Sequence, residues 1–158
     1  IFEDDIDLSI FNHTYKKIND FWHNNLKNTD ILQLFTSKEG FYNSVEHKLK
    51  LTEREYNCWG TCGYIISYNG MKKIMNLYDF VNDKFNLEKN NELLIADVTI
   101  YNICKSHILN LPAINIIPPS IFPSQLNNDS NPVGLILNTT SEYITKNTHQ
   151  IIASIEDN

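Results

Sequence analysis

The stretch "TCGYIISYNGMKKIMNLYDFV", residues 61–81, decides the fold class. Its first seven residues are apolar and β-branched enough to predict a strand. Residues 68–81 then place four apolar side chains at the spacing of one helix face: Met71, Ile74, Met75 and Tyr78. A strand that leads through a short polar turn into a helix is typical of α/β proteins. The sequence therefore predicts an α/β fold.

Further strand-like segments are spread along the chain. "IFEDDID", residues 1–7, is typical of the end of a buried strand followed by a turn, and "DILQLF", residues 30–35, is short and apolar enough for a second strand. Residues 41–50 alternate in part, which predicts an edge strand. Residues 113–117 predict a buried strand that ends at two consecutive prolines.

Three segments have helical patterns. "TYKKINDFWHNNLKN" repeats apolar side chains at helical spacing behind Thr14, a possible N-cap. A second helix is expected from about Val98, with Asp97 at the junction between strand and helix. The segment 126–134, "LNNDSNPVG", is typical of a loop, and residues 141–158 predict a closing helix.

Length and charge limit the function classes. With 158 residues the chain is expected to form a single domain, 1–158, large enough to bury a core. The net charge of −6 and the absence of any run of lysine or arginine argue against a nucleic-acid partner. No stretch is long and apolar enough to predict a membrane span. Three cysteines without paired spacing predict packed, reduced thiols.

The acids Glu3, Asp4 and Asp5 follow two apolar residues directly. Carboxylates at the carboxyl end of a strand lie where α/β sheets usually place ligands. Several of them cannot all stay ionised and desolvated without a cation, and hard oxygen ligands suit Mg²⁺ or Mn²⁺. The alternative interpretation is a solvated acidic turn.

Four segments in the same order resemble glycosyltransferase family 25, which includes bacterial lipopolysaccharide galactosyltransferases and procollagen galactosyltransferases. They are "IFEDDI", "WGTCGYIISYNGMKKIM", "LLIADVTIY" and "PPSIFPSQLNNDSN", and the resemblance covers residues 1 to about 131. It implies a GT-A-like, Rossmann-like fold in which a mixed sheet is flanked by helices. It also implies an inverting transfer of a hexose, galactose or glucose, from a UDP-sugar donor to a hydroxyl of a glycan or protein acceptor.

Roles for single residues follow from that resemblance. The acidic triplet would be the family's version of the DxD motif, with Glu3 and Asp5 as ligands of Mn²⁺ or Mg²⁺ and Asp4 also contributing to binding of this cofactor. Asp97 would be the base that takes the proton from the acceptor hydroxyl, although an aspartate there also suits a helix N-cap. The sugar site would be formed by Trp59, Gly60, Thr61, Gly63 and Tyr64.

In the resembled family a nucleotide-binding half precedes the acidic triplet. Because Ile1 stands inside an apparent strand, we expect a segment to be missing before it, and we expect these residues alone to bind a sugar nucleotide poorly.

Two other functions remain open at this point. "DDIDLS" contains Asp5-x-Asp7-x-Ser9, which is close to the nucleophile motif of haloacid dehalogenase-like phosphohydrolases, where the first aspartate attacks phosphate. The chain could also be a catalytically inactive partner subunit with a sugar-nucleotide fold.

Overall fold

The structure is a computed structural model. It describes residues 1–3, 6–25, 27, 29–38, 41–42, 48–55, 58, 60, 62–85, 96–117 and 132–157. In chain order the elements are β1 (Ile6–Asp7), α1 (Ser9–Asn25), β2 (Ile31–Gln33), β3 (Leu51–Glu53), β4 (Tyr64–Ile66), α2 (Tyr68–Met75), β5 (Tyr78–Asp79), β6 (Lys84–Phe85), α3 (Ala96–Ile103), β7 (Ser106–Leu109), β8 (Asn115–Ile116) and α4 (Pro132–Glu156).

The largest sheet has four strands in the order β3-β7-β2-β4. Its two middle strands, β2 and β7, run parallel, with Leu32 opposite His107. The outer strands β3 and β4 are antiparallel to their neighbours. Ile31 and Leu32 have no exposed surface, as expected of a middle strand that is covered on both faces. The prediction of an α/β fold with a mixed sheet and flanking helices is therefore confirmed.

Helices α1 and α4 form a second layer of the core beside the short pair β1–β8. Ile10, Ile18 and Trp22 of α1 are buried in the same apolar cluster as Ile144 and Ile151 of α4. In the part of the chain that the structure describes, no helix combines the length and the apolar character needed to cross a bilayer.

Helix α1 begins five residues before the predicted cap. Thr14 lies inside the helix, where its hydroxyl donates a hydrogen bond to the Ile10 carbonyl at 2.9 Å. The side chain of Asp7 marks the true start, because its two oxygens accept bonds from the Ser9 amide (2.8 Å) and the Ser9 hydroxyl (3.0 Å). This bonding satisfies a helix-terminal amide that would otherwise lack a partner.

Helix α2 ends earlier than predicted. It stops at Met75, and the hairpin β5–β6 occupies the positions expected to continue the helix. Asp79 explains the hairpin, because its Oδ1 accepts hydrogen bonds from the amides of Val81 (2.9 Å) and Asn82 (3.2 Å). Such a local bond favours a turn over a helix. Only part of the predicted apolar face is buried: Ile74 packs against the buried cluster of Ile31, Tyr101 and Cys104, whereas Met71 and Met75 are 44% and 45% exposed.

Other elements differ from the expectations in detail. Most of the predicted edge strand 41–50 cannot be compared, because residues 43–47 lie outside the described ones; edge strand β3 directly follows this segment. Strand β7 was not predicted. Helix α4 already begins at Pro132, inside the predicted loop. Ile1 and Phe2 are 64% and 39% exposed, so they do not form the expected buried strand.

Asp30 fastens the start of β2 to two other elements. Its Oδ2 accepts a hydrogen bond from the Lys105 amide at 2.8 Å and pairs with the Lys73 ammonium group on α2. Burial alone would raise the pKa of Asp30, but these hydrogen bonds and the two lysine charges outweigh it and bring the pKa below its ordinary value of 3.8. The ionised carboxylate is therefore the form that the folded protein stabilises.

Asp30→Asn is expected to lower the free energy of unfolding by about 1–2 kcal/mol at about pH 7, because the bonds to a charged acceptor are lost. The half-exposed Lys73 contributes the smaller share. Since the pKa is depressed in the folded state, the stabilisation is complete above the unfolded pKa and disappears as the pH falls through the folded one. The difference in urea unfolding between wild type and variant should therefore begin to shrink near pH 3.8 and disappear at lower pH, where the folded carboxylate is protonated. A difference that does not change with pH would contradict this account, and Asp20→Asn on the exposed face of α1 is the matched control.

Candidate functional site

The acidic start of the chain lies directly against the glycine-tyrosine segment. Phe2 forms an antiparallel bridge with Gly63. On either side of it the Glu3 amide donates to the Cys62 carbonyl at 2.9 Å, and the Tyr64 amide donates to the Ile1 carbonyl at 3.0 Å. Residues 1–3 thus pair with residues 62–64, about sixty residues farther along the chain, and Glu3 lies beside the edge of β4.

Gly63 makes this close approach possible. A Cβ atom built on it would lie 3.0 Å from Cδ1 of Phe2 and would collide with Cδ1 of Ile114, which has no exposed surface. The Phe2 ring in turn packs edge-on against Phe11 of α1, with ring centroids 5.2 Å apart. Absence of a side chain at Gly63 therefore lets the first residues dock between β4 and α1.

Gly60 is required for a different reason. Its backbone has a φ of +115°, in the region that only glycine adopts without strain. This conformation turns its carbonyl toward two donors, the Gln33 side-chain amide at 2.8 Å and the Tyr101 hydroxyl at 3.1 Å. Gln33 is the last residue of β2 and is fully buried. Gly60 is therefore held at the carboxyl end of a middle strand, where α/β sheets usually bind ligands.

Tyr101 connects helix α3 to this segment. Besides its bond to Gly60, its ring packs nearly perpendicular to the Tyr64 ring at 6.4 Å between centroids. The guanidinium carbon of Arg54 lies 4.3 Å from the centroid of the Tyr101 ring, a favourable cation–π geometry. Arg54, Tyr64 and Tyr101 thus form a stacked group next to Gly60.

Asp97 lies one helical turn before Tyr101 on the same helix. Helix α3 begins at Ala96, so Asp97 is inside the first turn rather than at the predicted N-cap position before Val98. Asp97 therefore lies on the helix that Tyr101 holds against Gly60 and Tyr64.

The hydroxyl of Tyr64 is kept protonated. Partial burial raises its pKa above the ordinary value of 10.0, and the negative charge of Glu3 raises it further, followed by that of Cys104. A phenol with a raised pKa is a hydrogen-bond donor throughout the physiological range. Tyr64 can therefore donate to a hydroxyl or phosphate oxygen of a ligand.

The structure brings together some of the predicted site residues and does not describe others. Glu3, Gly60, Gly63 and Tyr64 lie in one region, and Asp97 lies on the helix that packs against it. Asp4, Asp5, Trp59 and Thr61 lie outside the described residues. The Asp7 carboxylate accepts a hydrogen bond from the Ser9 amide at the start of α1, so this acid has a structural role at the helix terminus.

Within the described part of the chain, no group of three or more histidine, cysteine, aspartate or glutamate side chains is arranged to hold a metal ion. Glu3 is exposed there. A Mg²⁺ or Mn²⁺ ion needs few protein carboxylates, because it keeps several waters and shares the phosphates of its substrate. The exposed carboxylate of Glu3 provides the oxygen ligands that this kind of metal site uses.

Three residues of this region were missed by sequence reasoning: Gln33, Arg54 and Tyr101. Arg54 is the chain's only arginine, a residue type that binds phosphates and stacks on aromatic rings, and this could have marked it. Tyr101 follows Asp97 by four residues, the spacing of one helix face.

No protein-family model, no curated protein and no solved structure matches the chain.

Proposed function

We propose that the chain is the metal- and acceptor-binding part of an inverting glycosyltransferase with a GT-A-like fold, which moves galactose or glucose from a UDP-sugar to a hydroxyl of a glycan or protein. The observation that carries the proposal is the antiparallel pairing of residues 1–3 with residues 62–64. It joins two of the segments on which the family resemblance depends, and the bond from Tyr101 to Gly60 adds the helix that carries the third.

Each residue of the site has a proposed role that follows from the chemistry of its side chain or backbone. Tyr64 donates a hydrogen bond to the donor sugar or its diphosphate, and Gly60 allows backbone to approach the ligand closely. Arg54, held by its stacking on Tyr101, places a positive charge at the same surface. Asp97 accepts the proton of the acceptor hydroxyl while the acceptor oxygen bonds to the anomeric carbon and the bond from that carbon to UDP breaks.

Glu3 and Asp5 would hold the Mn²⁺ or Mg²⁺ ion, which when bound neutralises charge that develops on the departing diphosphate. Glu3 is suited to this role by its exposure and by its place beside Tyr64. Asp5, two residues farther along, completes the pair that the resemblance assigns.

The test is a transfer assay with UDP-galactose and UDP-glucose, each with Mn²⁺, on the protein with any sequence that its gene encodes before Ile1. We expect release of UDP that rises when a hydroxyl acceptor is added and stops when the metal is chelated. Absence of UDP release with both donors, under conditions where the protein is folded, would refute the proposal. Hydrolysis of a phosphate monoester without any sugar donor, abolished by Asp5→Asn, would instead favour a phosphohydrolase.

A further inference from the structure

Four lysines from three separate segments of the chain line one cleft of about 540 Å³. Lys27 follows α1, Lys72 and Lys73 lie in the last turn of α2, and Lys105 immediately precedes β7. The fold thus brings together a basic cluster that is not visible as a continuous basic segment in the sequence. The chain as a whole has a net charge of −6.

The charges in this cleft do not cancel. Among the lining residues that the structure describes, Asp30 is the one acid, and it pairs with Lys73. Four ammonium groups against one carboxylate leave a net charge of about +3 in the cleft. Lys72 lies 4.8 Å from the centroid of the exposed Tyr68 ring, a favourable cation–π distance.

Helix stabilisation explains only part of the cluster. Lysines in the last turn of a helix are favoured by the helix dipole, which accounts for Lys72 and Lys73. It does not account for Lys27 and Lys105, which come from two other segments and reach the same cleft. Asn69 and Asn76 add side-chain amides to the lining, so the cleft is rich in hydrogen-bond donors.

We propose that this cleft binds a ligand bearing a phosphate or diphosphate group. Lysine is a common phosphate-binding residue, and several ammonium groups around one concave surface match the charge of a phosphate better than that of a carboxylate. The ligand is either a soluble phosphate compound or the phosphate headgroup of a lipid, since both present the same group.

The cleft is separate from the candidate functional site. Asp30 and Gln33 lie three residues apart on one extended segment, which is about 10 Å. Asp30 faces the cleft at the amino end of β2, whereas Gln33 holds Gly60 at its carboxyl end. The proposal therefore does not depend on glycosyl transfer.

The first experiment titrates the intact chain with inorganic pyrophosphate at low ionic strength and records binding by calorimetry. The test variant is Lys72→Gln/Lys105→Gln, which leaves the Asp30–Lys73 pair in place. Lys16→Gln/Lys17→Gln on the exposed face of α1 removes the same charge elsewhere. We expect the test variant to raise the dissociation constant at least about tenfold and the control to leave it nearly unchanged.

The second experiment distinguishes the two sources of phosphate. The chain is sedimented with vesicles of phosphatidylcholine alone or with added phosphatidic acid. Sedimentation only with phosphatidic acid, lost in Lys72→Gln/Lys105→Gln, assigns the cleft to a lipid headgroup, whereas pyrophosphate binding without vesicle binding assigns it to a soluble phosphate. The proposal is overturned if wild type binds neither probe, or if both double variants, shown to be folded by thermal unfolding, weaken binding equally.

Discussion

A Gly63→Ala variant is expected to unfold more easily than wild type by about 1–3 kcal/mol, although it adds a single methyl group. The added Cβ would collide with Cδ1 of Ile114, a fully buried side chain that has no room to move, and would press on the Phe2 ring. Phe2 is partly exposed and can yield, so the first three residues are expected to leave β4 before the core does. Urea unfolding measures the loss, and hydrogen exchange at the amides of Glu3 and Tyr64 should become faster.

Ile114→Val provides the decisive control for this prediction, because it removes the Cδ1 atom that the new methyl group meets. The single change costs about 0.5–1.5 kcal/mol by itself. If the collision is the cause, Gly63→Ala added to Ile114→Val should cost much less than Gly63→Ala in wild type. Strictly additive losses would show that the glycine is needed for another reason.

The parts of the fold that the sequence predicted are those with a strong local pattern. Strands β2 and β4 lie in short segments with consecutive branched apolar residues, Ile31–Leu32 in β2 and Ile65–Ile66 in β4, and such residues fit a buried or half-buried strand. Helix α1 repeats its buried residues Ile18 and Trp22 at helical spacing. In these segments local propensity and burial in the core favour the same structure.

Errors occurred where a local side-chain bond or a tertiary contact decides the structure. The α2 pattern continues past Met75 in the sequence, yet a turn forms because the amides of Val81 and Asn82 donate hydrogen bonds to the Asp79 carboxylate. Strand β7 contains Ser106 and His107 and shows no strand pattern of its own. It is formed by pairing with β2 on one side and β3 on the other, information that lies elsewhere in the chain.

In the candidate site, too, some residues could be identified from the local sequence, whereas others depend on tertiary contacts. A motif match could point to Gly60, Gly63 and Tyr64, because glycine and tyrosine stand together in the sequence. It could not show that the backbone of Gly60 has a positive φ, or that a side chain at Gly63 would collide with Ile114. Arg54 and Tyr101 become visible only through the stacking that the fold creates.

The proposed function makes its strongest claim about Asp97. Asp97→Asn keeps the size of the side chain and a polar group in the first turn of α3, so folding should change little. If Asp97 takes the proton of the acceptor hydroxyl, kcat for transfer should fall by about 10²–10⁴-fold, because an amide cannot accept that proton. Measuring UDP release with saturating donor and acceptor gives kcat directly.

The affinity for UDP and Mn²⁺ distinguishes a catalytic base from a residue with a structural role. Loss of a base should leave the affinity for UDP and Mn²⁺ unchanged, since proton removal belongs to the acceptor step. A structural role would lower kcat together with UDP affinity and thermal stability. Asp20→Asn, an exposed acid on α1, should alter none of these quantities. If Asp97→Asn retains wild-type kcat, Asp97 is not the base.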